Sequence, residues 1–584
     1  MGKEINAARG SIMRYVNIDF AEIRPVAGGQ EEADLLLVNG RVACVYSGEL
    51  LDAAVAVKNG IIAGVGDYKR GKKVLDLQGA CLLPGFIDSH IHIESSMLTP
   101  AAFAEAALPH GTTAVLADPH EIVNVMGLDG WRYMVEASRG LPLDFLWQIP
   151  SCVPATHLET GGGRIGPAEL DQALELFPEC TALAEMMNFP GVVYGLPPVL
   201  ELIQKARQRG LLVEGHAPGL SGSDLNAYLA AGCSSDHECT TAGEALEKLR
   251  LGMRILIREG SAARNLDDLL PIITPLNSHR CCFCSDDRHP ADLLQDGHMD
   301  HILRRAVKAG LPPLQAVQMV TLNPAQHHRL HGRGAIAPGC LADLAVVNNL
   351  KDFQVQKVFK QGKLVARNGQ YLVSSGEIKD QVPVYPLKMP ELKGRFRLPL
   401  RQKAHSVKVI EAIPGQVLTR KVIVPAGEAL SDPGINRLAV VERHGVNGNI
   451  ALGLVKGFEL ARGALASSVA HDSHNLIMVG KDEKSMERAA RAVAEMGGGM
   501  AAVDGETVLA SLALPVAGLM SLCSAGEVAA GYEAIENAAR QLGCKLPSPF
   551  MTLSFLALPV IPELRLTDRG LVDIDAFDFV ELWD

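Results

Sequence analysis

Hydrophobic and polar positions along this chain fall into three successive patterns. From Ala33 to Asp76, short runs of Val, Ile, Leu and Ala are punctuated by Asn39-Gly40 and Asn59-Gly60, dipeptides that strongly favour hairpin turns. This predicts a β-rich piece. From about Cys81 to Gly332, short apolar runs alternate with helix-length amphipathic segments. The runs include "TTAVLAD", "LDFLWQIPS", "ALAEMMN", "LLVEGHA", "SSDHE" and "CCFCSDD"; "DDLLPIITPLNS" and "HMDHILRRAVKAGL" are among the predicted helices. Such alternation argues for a parallel sheet, and about eight units argue for a closed (β/α)8 barrel. After it, "GAIAPGCLADLAVVNN" and "VQKVFKQGKLVARNGQYLV" return to short strands and turns, so the first and third pieces can complete one small β-domain.

The expected architecture is therefore α/β: a TIM-like barrel with a small split β-sandwich domain and an additional C-terminal α/β domain. The segments are an N-terminal extension (1–32), the sandwich in two parts (33–80 and 333–373) around the barrel (81–332), a polar, Pro-containing linker (374–401) and the C-terminal domain (402–584). The last contains the amphipathic "DEKSMERAARAVAEMGGG".

Composition narrows the partners. With 584 residues, 48% apolar and 21% charged, the chain has the make-up of a soluble globular protein with several cores. A net charge of -11, from 55 basic against 66 acidic residues, argues against nucleic acid as a partner. No apolar core of signal-peptide length occurs in "MGKEINAARGSIMRYVNIDF". The longest uncharged stretch, Val508 to Gly526, is interrupted by Pro515, Gly518 and serines; it reads as a buried strand-turn-helix, with no membrane span expected. Twelve cysteines spread through a long chain, without short-spaced pairs suited to a disulfide scaffold, fit a reducing, cytoplasmic setting. Cys281, Cys282 and Cys284 read as small hydrophobes on a buried strand.

Catalytic groups of such a barrel come from the C-terminal ends of its strands. The first strand closes with "PGFIDSHIHIESSM", where His90 and His92, two residues apart, project from one face and can clasp one metal ion. The second ends in "LADPHE", with Asp118, His120 and Glu121. Glu185 lies among apolar neighbours in the fourth, a costly position for a carboxylate unless paired or metal-bound. His216 closes the fifth strand, His237 the sixth, and Asp286 and Asp287 the last. His90, His92, Glu185, His216, His237 and Asp286 form a complete ligand set for two first-row divalent ions.

That order of ligands inside a barrel flanked by a split β-domain resembles the amidohydrolase superfamily. Within it, "PGFIDSHIHIESSM", "DPHEIVNVMG", "LAEMMNFPGV", "GHAPGLSG", "LRLGMRILIREGSAARNL", "CSDDRHP" and "VAHDSHNLIMVG" resemble the bacterial adenine deaminases over nearly the whole chain from about residue 30. The resemblance implies a cytoplasmic homo-oligomer of purine salvage that deaminates adenine to hypoxanthine and ammonia by a metal-activated hydroxide. It implies a centre of Mn²⁺ or Fe²⁺, with Zn²⁺ as an alternative, in binuclear form. Glu185 would bridge the metals where many relatives carry a carboxylated lysine, which separates this chain from the dihydroorotase and allantoinase branch. Asp286, directly after a serine, would be ligand and general base; Asp287 is its competitor.

Other roles stay open at the level of sequence. The glutamate that follows the strand-five histidine in nucleoside deaminases is missing from "GHAPGLSG", which leaves the partner of the purine ring nitrogen unassigned, with Glu94, His120, Glu121 and Glu238 as candidates by position. Glu94 and Glu238 serve equally well as supports of the adjacent ligands. Asp118, Glu121, Arg258, Ser261 and Asp287 are candidates for binding substrate, although in "REGSAARN" Ser261 can instead cap a helix. In "AHDSHN", His471, Asp472 and His474 can bind a further metal, close over the barrel mouth, or form a hydrogen-bonded turn.

Overall fold

The structure, a computed structural model, describes residues 18–261, 263–373, 385–398, 404–429 and 431–584. Residues 1–17 of the expected extension, and 374–384 and 399–401 of the expected linker, lie outside the described residues. The rest of the extension includes the helix Phe20–Ala27, whose first turn is capped by Asp19 accepting from the amide of Ala21 at 2.9 Å.

Eight short parallel strands carry the chemistry: β1 (Phe86–Ile91), β2 (Thr112–Ala117), β3 (Asp144–Trp147), β4 (Ala182–Met186), β5 (Leu212–Gly215), β6 (Ser235–Asp236), β7 (Arg254–Arg258) and β8 (Cys281–Cys284). Ladders join β1 to β2 to β3, β4 to β5, and β6 to β7 to β8. Single parallel bridges supply the missing links: Ile149 with Leu183, Val213 with Cys233, and Ile91 with Asp286, which ties the end of β8 back to β1. Helices such as Pro100–Ala107, Pro197–Gln208 and Ala242–Arg250 connect successive strands. Both faces of the strands are covered, and β1, β2, β4, β7 and β8 are buried throughout, their polar residues included. Cys281, Cys282 and Cys284 lie in that core as expected.

A seven-stranded sheet draws on both flanking pieces, with strands from 41–52 next to Cys81–Pro84 and then strands from 344–371. Cys81–Pro84 pairs here, just before the first of the parallel strands. Asn59-Gly60 turns a hairpin between Ala54–Lys58 and Ile61–Gly66. Asn39-Gly40 does not, contrary to expectation: Ala33–Val38 and Arg41–Cys44 diverge into different sheets. Gly40 is packed so closely under Leu77 that a Cβ would come within 2.6 Å of Leu77 Cδ1. The expected helix in "DDLLPIITPLNS" shrinks to Leu266–Leu269 and one 3-10 turn, Leu270–Ile272. Pro271 and Pro275 each remove a backbone donor from that segment.

The C-terminal region holds an eight-stranded sheet and the helices Glu483–Glu495, Ala525–Gln541 and Pro549–Phe555. Residues 468–475 join its antiparallel neighbours Ala464–Ser467 and Leu476–Gly480. The stretch from Val508 to Gly526 is the strand Thr507–Ala513, turns, and the start of Ala525–Gln541. Among the described residues no helix is long and apolar enough to cross a membrane.

Candidate metal centre and active site

At the end of β1, His90 on the strand and His92 just past it converge, their Nε2 atoms 3.1 Å apart. His92 Nδ1 lies 3.0 Å from the carbonyl of Asp118, an acceptor, so Nδ1 carries the proton and Nε2 presents a lone pair. That lone pair faces acceptors: Glu185 Oε1 at 3.2 Å and Asp286 Oδ1 at 3.3 Å. His90 Nε2 is 3.7 Å from Asp286 Oδ1 and 3.9 Å from Glu185 Oε1. Buried acceptors crowded together need a proton or a metal cation between them, and, against the penalty of burial, Asp286 and Glu185 draw positive charge onto His92. Two ligands of one tetrahedral ion at about 2.1 Å would stand roughly 3.4 Å apart, so the spacing fits a divalent metal.

Glu185 has a second side. Its Oε2 is 2.7 Å from His216 Nδ1 and 3.1 Å from His237 Nε2, while the His237 ring stacks on His90 with centroids 4.1 Å apart. One carboxylate thus faces two pairs of imidazoles, one pair through each oxygen. All six ligand candidates come together, and all but His216 are buried.

The backbone explains how Asp286 arrives there. Its amide donates to His90 O at 3.0 Å and its φ of 57° lies in the left-handed region, which Asp tolerates better than most residues. The turn aims Asp286 at the imidazoles and sends Asp287 elsewhere, where its Oδ1 accepts from Ser95 Oγ at 2.5 Å. Beneath this turn a buried Asp88 accepts from Ser285 N at 3.1 Å and Ser285 Oγ at 2.5 Å, and lies 3.0 Å from His298 Nε2.

The remaining candidates separate clearly. His120 Nδ1 is 3.3 Å from Asp118 Oδ2 and 3.5 Å from Glu185 Oε1, joining the centre from β2. Burial and His92 oppose its protonation, but Asp118 and Asp472 prevail and raise it to about 10. Glu94 accepts from the amide of Ile122 at 3.1 Å through Oε1; burial first, then Glu121, pushes it up to about 7. Arg258 binds Glu238 through both terminal nitrogens and Asp286 Oδ2 at 2.8 Å. Ser261 caps no helix: its hydroxyl contacts Asp292 and accepts from the amide of His289 at 2.8 Å, while the next helix begins at Leu266 after Asn265.

The C-terminal loop reaches this place. His471 Nδ1 lies 3.0 Å from Glu121 Oε1, His474 Nε2 touches the other oxygen, and Asp472 Oδ1 is 3.9 Å from His120 Nε2.

Comparison with known proteins agrees with this division of labour. Residues 81–365 match the amidohydrolase family, and residues 416–578 match the adenine deaminase C-terminal domain. An adenine deaminase from Desulfatibacillum aliphaticivorans is 49% identical over 575 residues, 96% of this chain and 99% of that one. Relatives of the same name from Methanothrix thermoacetophila and Kosmotoga olearia are 48% and 44% identical, covering 95% and 97% of this chain and 98% and 99% of their own. The chain belongs to the adenine deaminase family.

Three features of this adenine deaminase family member lay outside sequence reasoning. Asp88 sits within the very motif that carries His90, yet it reads there as one more residue of a strand. Lys248, fully buried, donates to Asp236 Oδ2 and to Ala217 O, each at 2.7 Å, although in "EALEKLR" it reads as a solvated helix charge. Glu159 is buried beside Asp472; burial first, then Asp472, pushes it up to about 8. Nothing in the polar stretch "HLETGGG" signals that.

Proposed function

We propose that this protein is a metal-dependent adenine deaminase, converting adenine and water to hypoxanthine and ammonia. The observation that carries the reading is Glu185, with one oxygen toward His90 and His92 and the other toward His216 and His237. That geometry suits a carboxylate shared by two divalent ions, Mn²⁺ or Fe²⁺ by family resemblance, with Zn²⁺ compatible with the same donors. His90, His92 and Asp286 would serve one ion, and His216 and His237 the other. Bound there, the ions would lower the pKa of a water molecule so that hydroxide is available near neutral pH.

The chain's own groups handle the protons. Asp286 Oδ1 faces the centre and is suited to take the proton of the attacking water and pass it to the exocyclic amine as the C6–N bond breaks and the C6–O bond forms. Arg258 on Oδ2 holds that carboxylate in place. For the ring nitrogen, Glu121 is occupied by two histidines and Glu238 by Arg258. His120 and Glu94 remain, and Glu94 Oε2 is buried without a hydrogen-bond partner among the described residues.

The eight parallel strands, linked from β8 back to β1, support a (β/α)8 barrel, and the sheet shared by 41–52 and 344–371 supports a split β-sandwich beside it. Twelve free cysteines accord with a cytoplasmic protein of purine salvage. A homo-oligomer is proposed on family resemblance.

The test is ammonia release from adenine and from adenosine by protein produced under chelation and reconstituted separately with Mn²⁺, Fe²⁺ and Zn²⁺. Metal-dependent turnover of adenine alone supports the reading. Full metal loading without turnover of adenine would refute it and direct attention to cyclic amides.

A further inference from the structure

Glu121, His471 and His474 form a second buried cluster of metal-ligating residues, with donor atoms as close as those of the main centre. The ring nitrogen that does not face the carboxylate decides what it can do. In a metal-bound imidazole the other nitrogen normally carries a proton and donates it, as His92 Nδ1 does to Asp118 O. His474 is arranged the opposite way. The backbone amide of Ala470 donates to His474 Nδ1 at 3.1 Å, so Nδ1 is an acceptor and the single proton must sit on Nε2. Nε2 lies against Glu121 Oε2 and, carrying the proton, has no lone pair to offer a cation.

His471 completes the arrangement from the other side. Its Nδ1 lies 3.0 Å from Glu121 Oε1, its ring stacks on Phe555 at 4.5 Å, and its backbone amide donates to Ser554 O at 3.0 Å. Glu121 is the second residue of the helix His120–Met126, directly after His120, which lies 3.5 Å from Glu185. Anything that fixes Glu121 fixes the direction from which His120 enters the centre.

We propose that Glu121, His471 and His474 are a metal-free ion-pair clamp through which the C-terminal region positions His120 against Glu185. His471 and His474 are positioning residues; they act on the reaction through Glu121. The clamp also explains why Glu121, one of the candidates for the ring nitrogen, is withdrawn from substrate: both its oxygens are engaged.

The inference rests on the adenine deaminase reading, and the experiment separates the two. Wild-type enzyme inactive on adenine would defeat that reading; active wild-type enzyme with unimpaired variants would defeat the clamp alone. In His474→Ala, kcat per metal-loaded enzyme should fall about 10- to 100-fold while KM moves little, the size expected when a reacting group is misplaced. His474→Gln, whose amide can donate to Glu121, should recover most of it. Glu121→Gln, isosteric and able to fold where His474→Ala does not, should lose at least about 10-fold. Independently of activity, all variants should bind as many Zn²⁺ ions as wild type, and ¹⁵N-histidine spectra of the Zn²⁺ form should assign His474 as the Nε2–H tautomer. Loss of one ion in His474→Gln, an Nδ1–H tautomer, or wild-type kcat in Glu121→Gln would each overturn the clamp.

Discussion

Arg258 Nη1 lies 2.8 Å from Asp286 Oδ2, the carboxylate oxygen opposite the one that faces His90 and His92. The same guanidinium grips Glu238 with both terminal nitrogens and donates from Nε to Asn265 Oδ1 at 3.3 Å. A planar fork held at three points fixes where Asp286 Oδ1 can be, and a flexible ammonium cannot reproduce it. Arg258→Lys should therefore lower kcat for adenine about 10- to 100-fold, with a smaller change in KM. Steady-state kinetics at matched metal content checks this; an unchanged kcat would mean that the backbone alone orients Asp286.

The two adjacent aspartates should behave differently. Asp286 faces the imidazoles, whereas Asp287 is held by Ser95. Removing the proposed general base, which also faces the candidate metal centre, is expected to cost at least about 10³-fold in kcat, so Asp286→Asn should be nearly inactive. Asp287→Asn should stay within about 10-fold of wild type, since its loss leaves the centre's donors in place. Rates and metal content measured side by side decide between them, and reversed outcomes would transfer the base to Asp287.

Acid stability offers a check remote from the centre. Asp144, at the start of β3, accepts from Lys360 at 2.6 Å and contacts Arg333, joining the parallel strands to the seven-stranded sheet. Burial opposes its ionisation, but Lys360 and Arg333 outweigh burial and lower it to about 2. Because the folded value is depressed below the usual 3.8, its contribution is present above pH about 4 and is lost as pH falls through about 2. The size is on the order of 2 kcal/mol. Urea denaturation at pH 5 and pH 3 should show a smaller loss for Asp144→Asn than for wild type; parallel losses would assign the acid sensitivity to other carboxylates.

What the sequence discloses and what it hides divide by range. His90-x-His92 and the polar residues ending apolar runs are local patterns, because a strand's two-residue period and the position of its C-terminal end are set by neighbouring residues. The contacts between Arg258 and Asp286, or between Glu121 and His474, join segments far apart in the chain and obey no period. Asn39-Gly40 makes the same point in reverse. Its turn chemistry was legible, while the choice of sheet for each flanking strand was decided by packing under Leu77.

Lys248 gives the sharpest consequence of such hidden partners. Its ammonium, fully buried, donates at 2.7 Å to Ala217 O, to Asp236 Oδ2 and to Glu244 Oε1. Ala217 follows His216 and Asp236 precedes His237, and Asp236 Oδ1 also accepts from the amide of Ala217 at 2.9 Å. One ammonium therefore ties together the two loops that present imidazoles to Glu185 Oε2. Lys248→Met would fill the space but strand the Asp236 carboxylate without its cation, at a cost of about 3–5 kcal/mol. It should also weaken binding of the ion proposed between His216 and His237 about 10- to 100-fold, as expected when groups that orient ligands are lost. Adding Asp236→Asn removes the stranded charge and should restore much of the folding stability, yet leave metal binding weak because the strut is still absent. Chemical denaturation of metal-free protein and competition titration with a chelator separate the two effects. Recovery of both in the double variant would mean that Lys248 only neutralises Asp236 and does not hold the ligand loops.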